Sequence, residues 1–259
     1  MNRAILLSFD VEEFDIPEEY GQTLDDGVKF DISLQGLNSV LHLLEQLNLR
    51  VTFFVTANFA IHYPQIIEAM AQRHEIASHG YFHSAFELAD LRKSKQTLEA
   101  ITHTHVRGYR MARLRKIDDA AIATAGYDYN SSMNPTYLPG RYNNFFEPRT
   151  AYYSKQLFNI PVSVTPVIRF PLFWLSFKNL PLILIQFATW LTLRSDRYVS
   201  LYFHPWEFTD ISAFQLPSYV KRHSGAPMVQ RLRHYLTWLK TQGKFITYSE
   251  FQTRFDSIQ

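Results

Sequence analysis

The 259-residue chain contains no cysteine. Disulfides and thiolate metal sites are therefore excluded, and any bound metal must be held by histidine and carboxylate. Charge of one sign is also scarce. The formal net charge is only +2, and even the densest basic group (Arg107, Arg110, Arg113, Arg115, Lys116) is too scattered for a nucleic-acid footprint. Long apolar runs are missing too. The segment 179–194, NLPLILIQFATWLTLR, falls short of the roughly 20 residues a spanning helix needs, and it reads as a buried or surface-docking helix. The apolar stretch after Met1 lacks a small-residue cleavage site and has no signal-peptide character. The expectation is a cytoplasmic protein, with 180–193 as a point of peripheral membrane contact. Repeats, low-complexity tracts and linkers are absent, and the pattern leaves oligomeric state open.

What is present is core material. Hydrophobic residues make up 46% of the chain and charged residues 19%, enough for one large domain over 1–259. Ala4 to Phe9 and Arg50 to Thr56 read as buried strands. Between them Leu34, Leu37, Val40, Leu41, Leu44 and Leu47 recur at helical spacing. The alternation continues with a helix over 61–73, a strand over 75–78 and a helix over 86–103. Next come a strand over 106–110, a helix over 117–125 and a strand over 127–132. Tyr198 to Phe203 forms a further strand, a helix follows over 227–241, and a strand at 245–248 closes the chain. About seven strands alternating with helices, with no glycine-rich phosphate loop after the first, predict an α/β fold of the βα-barrel kind rather than a doubly wound sheet. The aromatic- and proline-rich stretch 139–196 breaks the rhythm and reads as an insertion over the barrel mouth.

In such a fold, chemistry gathers at the C-terminal strand ends. The first strand delivers Asp10, Glu12 and Glu13. The strand period of two puts Asp10 and Glu12 on one face and Glu13 on the other, which favours Glu12 over Glu13 as a ligand. His79 and His83, four apart, fall on one side of a helical turn. With a carboxylate from another strand they make a His/His/carboxylate set suited to zinc or another first-row divalent ion, with positions left open for water and substrate. Arg110, set between buried strands, calls for a carboxylate partner such as Asp10. His204 follows the strand at 198–203, and its alternative role is packing beside Pro205 and Trp206. The histidines at 42, 62, 74, 103, 105, 223 and 234 read as non-catalytic.

These stretches carry a family resemblance. SFDVE at 8–12, SHGYFH at 78–83, GYR at 108–110, GYDYNSS at 126–132 and LYFHPWE at 201–207 resemble, in order and spacing, the motifs of the carbohydrate esterase 4 or NodB-type polysaccharide deacetylases. The resemblance spans most of the chain and implies a distorted (β/α)7 barrel. It implies a hydrolase of carbon–nitrogen bonds, in which a metal-bound water removes N-acetyl groups from an amino-sugar glycan such as a cell-surface polysaccharide. By position it implies Asp10 as base, Arg110 as the arginine orienting it, and His204 as general acid. The metal, Zn2+, falls on Glu12, His79 and His83. The sequence departs from the family at Val11, where a second acid is usual, and at Ala112, where proline is usual. No single acid stands out as the partner of His204; Asp196, Asp210 and Glu207 all compete. Two other readings stand beside this one: an allantoinase-like cyclic-amide hydrolase on the same fold, and a non-catalytic glycan-binding module.

Overall fold

The computed structural model of the protein describes residues 3–257. Its strands are β1 (Ala4–Val11), β2 (Thr52–Val55), β3 (Glu75–Ser78), β4 (Gly108–Tyr109), β5 (Tyr129–Asn130), β6 (Tyr137–Leu138), β7 (Tyr142–Asn143), β8 (Tyr152–Ser154), β9 (Leu157–Asn159), β10 (Tyr198–Phe203) and β11 (Lys244–Phe245). The helices are α1 (Asp26–Gln46), α2 (Ala57–His62), α3 (Pro64–Ala71), α4 (Asp90–Thr102), α5 (Asp119–Thr124), α6 (Trp174–Asn179), α7 (Leu182–Asp196), α8 (Ser218–Lys221), α9 (Ala226–Leu239) and α10 (Tyr248–Asp256). One sheet runs β10-β1-β2-β3-β4-β5-β9-β8, with β11 beside the start of β1. Every pairing in it is parallel except β8 with β9. Between β9 and β10 the backbone of Ser163 donates to Ser200 O at 3.0 Å, and Ser200 N donates to Ser163 Oγ at 2.8 Å, so the sheet curls toward closure. The architecture is the distorted α/β barrel.

β1 shows how the interior is graded. Ile5, Leu7, Phe9 and Val11 pack outward with the helices, whereas Ala4 and Leu6 join an inner cluster with Phe54, Tyr129, Phe158, Tyr198 and Tyr248. The inward positions of the strand therefore read Ala4, Leu6, Ser8, Asp10: grease at the base, carboxylate at the top. β1 is buried along its whole length, which explains why its sequence shows no polar alternation.

Several expectations change. The helix expected over 61–73 is two helices, broken at Tyr63 (φ −129°, ψ 57°), because the residue before Pro64 is pushed out of helical geometry. The helix expected from Phe86 starts only at Asp90, whose side chain accepts from Glu87 N at 2.9 Å. The closing strand is short, Lys244–Phe245, and the chain continues into α10. The cause is a capping box: Thr247 Oγ1 accepts from Glu250 N, and Glu250 returns a bond to Thr247 N. The stretch 139–196 supplies β8 and β9 to the main sheet. Its remaining parts place Arg141, Tyr142, Phe173 and Trp174 around the cleft described below. Gly36 lies inside α1, where glycine is costly. A Cβ there would fall 1.8 Å from Pro205 O, so its absence lets α1 pack directly on the turn after β10.

Candidate active site

Strands β1, β3, β4 and β10 feed one cleft at the C-terminal ends of the sheet, with a cavity of about 90 Å³. β1 brings Asp10, and the residues just after it bring Glu12, both nearly inaccessible to solvent. Arg110, which follows β4, is fully buried and places Nη1 2.5 Å from Asp10 Oδ1. Its other donors are all used. Nη1 also reaches Ser8 Oγ, Nε reaches Ser131 O, and Nη2 reaches Ser131 Oγ and Tyr248 OH, at 2.9 to 3.1 Å. The guanidinium lies 3.9 Å from the Phe54 ring centre. A cation so buried persists only when fully bonded. Burial works against its charge, but Asp10 and Tyr248 hold the arginine pKa above its ordinary value.

Glu12, His79 and His83 converge. Glu12 Oε2 lies 3.0 Å from His79 Nε2 and 3.1 Å from His83 Nε2. One donor atom from each residue lies within 4.8 Å of the others. The other ring nitrogens are fixed from behind: His79 Nδ1 donates to Arg110 O at 3.0 Å and His83 Nδ1 to Asp15 Oδ1 at 2.8 Å. Because a backbone carbonyl only accepts, Nδ1 of His79 carries the hydrogen and its Nε2 lone pair is left facing the carboxylate. With both Nδ1 atoms engaged from behind, the two Nε2 atoms and Glu12 Oε2 form a compact donor set that fits a divalent ion. Burial alone would raise Glu12, but His83, His204 and His79 outweigh it and hold the carboxyl well below the usual range. Burial opposes the charge of His83, yet Glu12 and then Asp15 push its pKa up to about 9.

The two imidazoles do not share a helical turn as expected. Residues 79–84 are irregular, with Gly80 at φ +88°. The chain reverses there through a left-handed glycine, and the rings stack 5.8 Å apart at 24°. Glu13 points elsewhere, accepting from Thr56 Oγ1 at 3.1 Å and from Asn58 Nδ2.

His204 follows β10 and enters the cleft from the far side, its Nε2 4.0 Å from Glu12 Oε1. Its ring stacks on Trp206 (5.0 Å, 18°) and meets Trp174 edge-on (5.3 Å, 89°). Trp206 Nε1 donates to Glu12 Oε1 at 3.1 Å. Of the three competing acids, Glu207 stands behind the imidazole: Oε1 accepts from His204 Nδ1 at 3.2 Å and from His204 N at 2.8 Å. Asp196 is instead bound by Arg149, and Asp210 caps Ser212 N. Burial opposes protonation of His204, but Glu12 and Glu207 raise its pKa above the ordinary value.

Two residues of the site were not found by sequence reasoning. Asp15 is buried and also takes Arg113 Nη2 at 3.1 Å. It lies beyond the strand register that singled out Asp10 and Glu12, so no spacing marked it. Lys178 of α6 places Nζ 3.6 Å from Glu207 Oε2, both side chains wholly buried, and neither atom has a hydrogen-bond partner. Burial lowers the lysine pKa against the pull of Glu207. A single lysine inside the aromatic run FWLSFKNL was the available signal.

Residues 17–130 match the family model described as polysaccharide deacetylase. Over this span, a little under half of its length, the chain is similar to the polysaccharide deacetylase family. The matched span contains His79, His83 and Arg110, while Asp10, Glu12 and His204 lie outside it and join the site by geometry. No curated protein matches the chain by sequence. Solved structures share the fold. A protein from Mycobacterium smegmatis assigned as a polysaccharide deacetylase is similar with a TM-score of 0.67 and 18% identity, covering 98% of this chain and 91% of that one. A Puue allantoinase gives 0.67 and 15% over 95% and 88% of the two chains. A peptidoglycan N-acetylglucosamine deacetylase gives 0.53 and 16% over 95% and 86%. A structure named as an allantoinase and one named as a deacetylase thus share this fold.

Proposed function

We propose that the protein hydrolyses the acetamide of an N-acetylated sugar unit, releasing acetate and a free amine. The observation that carries this reading is the meeting in one cleft of a restrained carboxylate (Asp10), a metal-fitting donor set and an imidazole backed by its own acid. Glu12, His79 and His83 would hold zinc or another first-row divalent ion, which supplies Lewis acidity toward the acetyl carbonyl and the attacking water. Arg110 fixes the direction of Asp10, so Asp10 accepts the proton of the water as the water oxygen bonds to the acetyl carbon. His204 stands on the opposite side of Glu12 and gives its proton to the amine nitrogen as the C–N bond breaks. Glu207 stabilises the imidazolium and sets which nitrogen faces the substrate. Trp174 and Trp206 wall the His204 side with flat apolar surface.

A second reading, hydrolysis of a cyclic amide, is supported by the small size of the inner cavity, about 90 Å³. The test is turnover of N-acetylated chitooligosaccharides against allantoin, with the metal-loaded protein and its Asp10→Asn variant. Acetate release from the oligosaccharide, lost in the variant, supports deacetylation. Turnover of allantoin alone supports the second reading. Glycan binding that is indifferent to Asp10→Asn, without turnover, would make the protein a binding module.

A further inference from the structure

Helix α7 is apolar on both sides. Ile185, Thr189, Thr192 and Leu193 are buried on its inner side. On its outer side Ile183, Leu184, Phe187 and Leu191 remain exposed, Ile183 by 69% and Phe187 by 60%. The spacings of four and seven put these four side chains on one stripe. A helix at a protein surface ordinarily turns polar residues outward, so a contiguous apolar stripe marks a contact. Trp190 stacks on Phe187 (5.9 Å), and the Arg194 guanidinium lies 4.9 Å from the Trp190 ring centre, placing an amphipathic aromatic and a cation along the border of the stripe.

The charge around this helix is one-sided, although the chain as a whole is nearly neutral. No acidic residue occurs between Glu147 and Asp196, nor between Asp210 and Glu250. Those two stretches contain α6, α8 and α9 and all of α7 but its last residue. Asp196 itself is bound by Arg149. At the entry to α7, Arg231 of α9 donates to the carbonyls of Phe177 and Leu180, and Arg222 lies close enough to act on its charge. Arg194 and the exposed Arg197 mark the other end.

We propose that the outer face of α7, flanked by Arg194, Arg197, Arg222 and Arg231, docks on an anionic lipid surface. The apolar stripe enters the boundary between headgroups and acyl chains, and the arginines meet the lipid phosphates. A second copy of the chain fits this face poorly, because pairing like faces would bring arginine against arginine. The contact lies along the membrane rather than through it: among the described residues, no helix is long and apolar enough to cross one. The proposal is independent of the reaction assigned above.

The test is co-sedimentation of the full chain with phosphatidylglycerol-containing vesicles and with pure phosphatidylcholine vesicles, at low and high salt. The expected result is binding to the anionic vesicles that weakens about tenfold or more as salt screens the arginines. Phe187→Ser with Leu191→Ser should weaken it by about tenfold or more while leaving turnover of a soluble substrate and thermal stability unchanged. Arg194→Glu with Arg222→Glu should remove the preference for anionic lipid. Absence of vesicle binding, or binding unaffected by the serine pair, overturns the proposal. A concentration-dependent dimer in sedimentation velocity that the serine pair dissolves, without vesicle binding, assigns the face to a second copy instead.

Discussion

Glu207 holds His204 twice within one turn, accepting the Nδ1 proton at 3.2 Å and the backbone N–H at 2.8 Å. Its charge raises the imidazole pKa, after the larger effect of Glu12. Glu207→Gln keeps the shape and removes the charge. The raised pKa keeps His204 protonated to higher pH, so lowering it shifts the alkaline limb of the kcat profile to lower pH. We expect kcat to fall by about 100-fold, the usual scale for a general acid. The substitution also strands the Lys178 cation, at a cost of about 3–5 kcal/mol. The pair Glu207→Gln with Lys178→Met removes that cost and should restore stability but not the pH limb. An unshifted limb in the paired variant would separate Glu207 from proton donation.

Asp15 fixes the ring of His83 from behind at 2.8 Å. Asp15→Asn should weaken binding of a divalent metal ion by about 10- to 100-fold, measured by competition with a chelator. Saturating metal should recover most of the turnover, because Asp15 acts on the ligand and not on the substrate. Stripping the wild-type protein with the same chelator should abolish turnover, and unchanged activity after complete metal removal would refute the assignment of Glu12, His79 and His83.

His74 packs edge-on against Phe53 at 5.1 Å, and its Nδ1 accepts from Val51 N at 3.4 Å. Burial, with Arg73 and Arg50, lowers its pKa to about 4. The folded state therefore binds this proton less tightly than the unfolded state. The contribution to stability is full above pH about 6.5 and is lost as pH falls toward about 4. Urea denaturation at neutral pH and near pH 4 should differ by on the order of 2 kcal/mol from this group, and His74→Gln should reduce that difference.

The strands that deliver the site were legible because they are buried on both faces and strongly β-forming; β3 and β10 keep the boundaries their residues suggested. The grouping of Asp10 with Glu12 was legible for the same reason, since a period of two admits little ambiguity. The path between His79 and His83 was not, because a four-residue spacing fits a helical turn equally well and only the left-handed Gly80 departs from it. Lys178 and Asp15 were illegible for a different reason. Their partners lie 29 and 68 positions away, and no local periodicity encodes a contact made by packing a helix or a loop over the barrel. In α10, by contrast, a legible signal went unread: Thr247 and Glu250 spell the start of a helix three residues apart.

Helix α10 ties the far end of the described chain to the base of the site. Tyr248 closes the hydrogen-bond set of the Arg110 guanidinium, and Phe251 packs in the inner cluster beneath it. The strands that carry Asp10 and the two imidazoles do not by themselves satisfy the arginine between them, which keeps an unmet donor until Tyr248 is in place. Docking of α10 and completion of the guanidinium's bonding are thus a single event in folding.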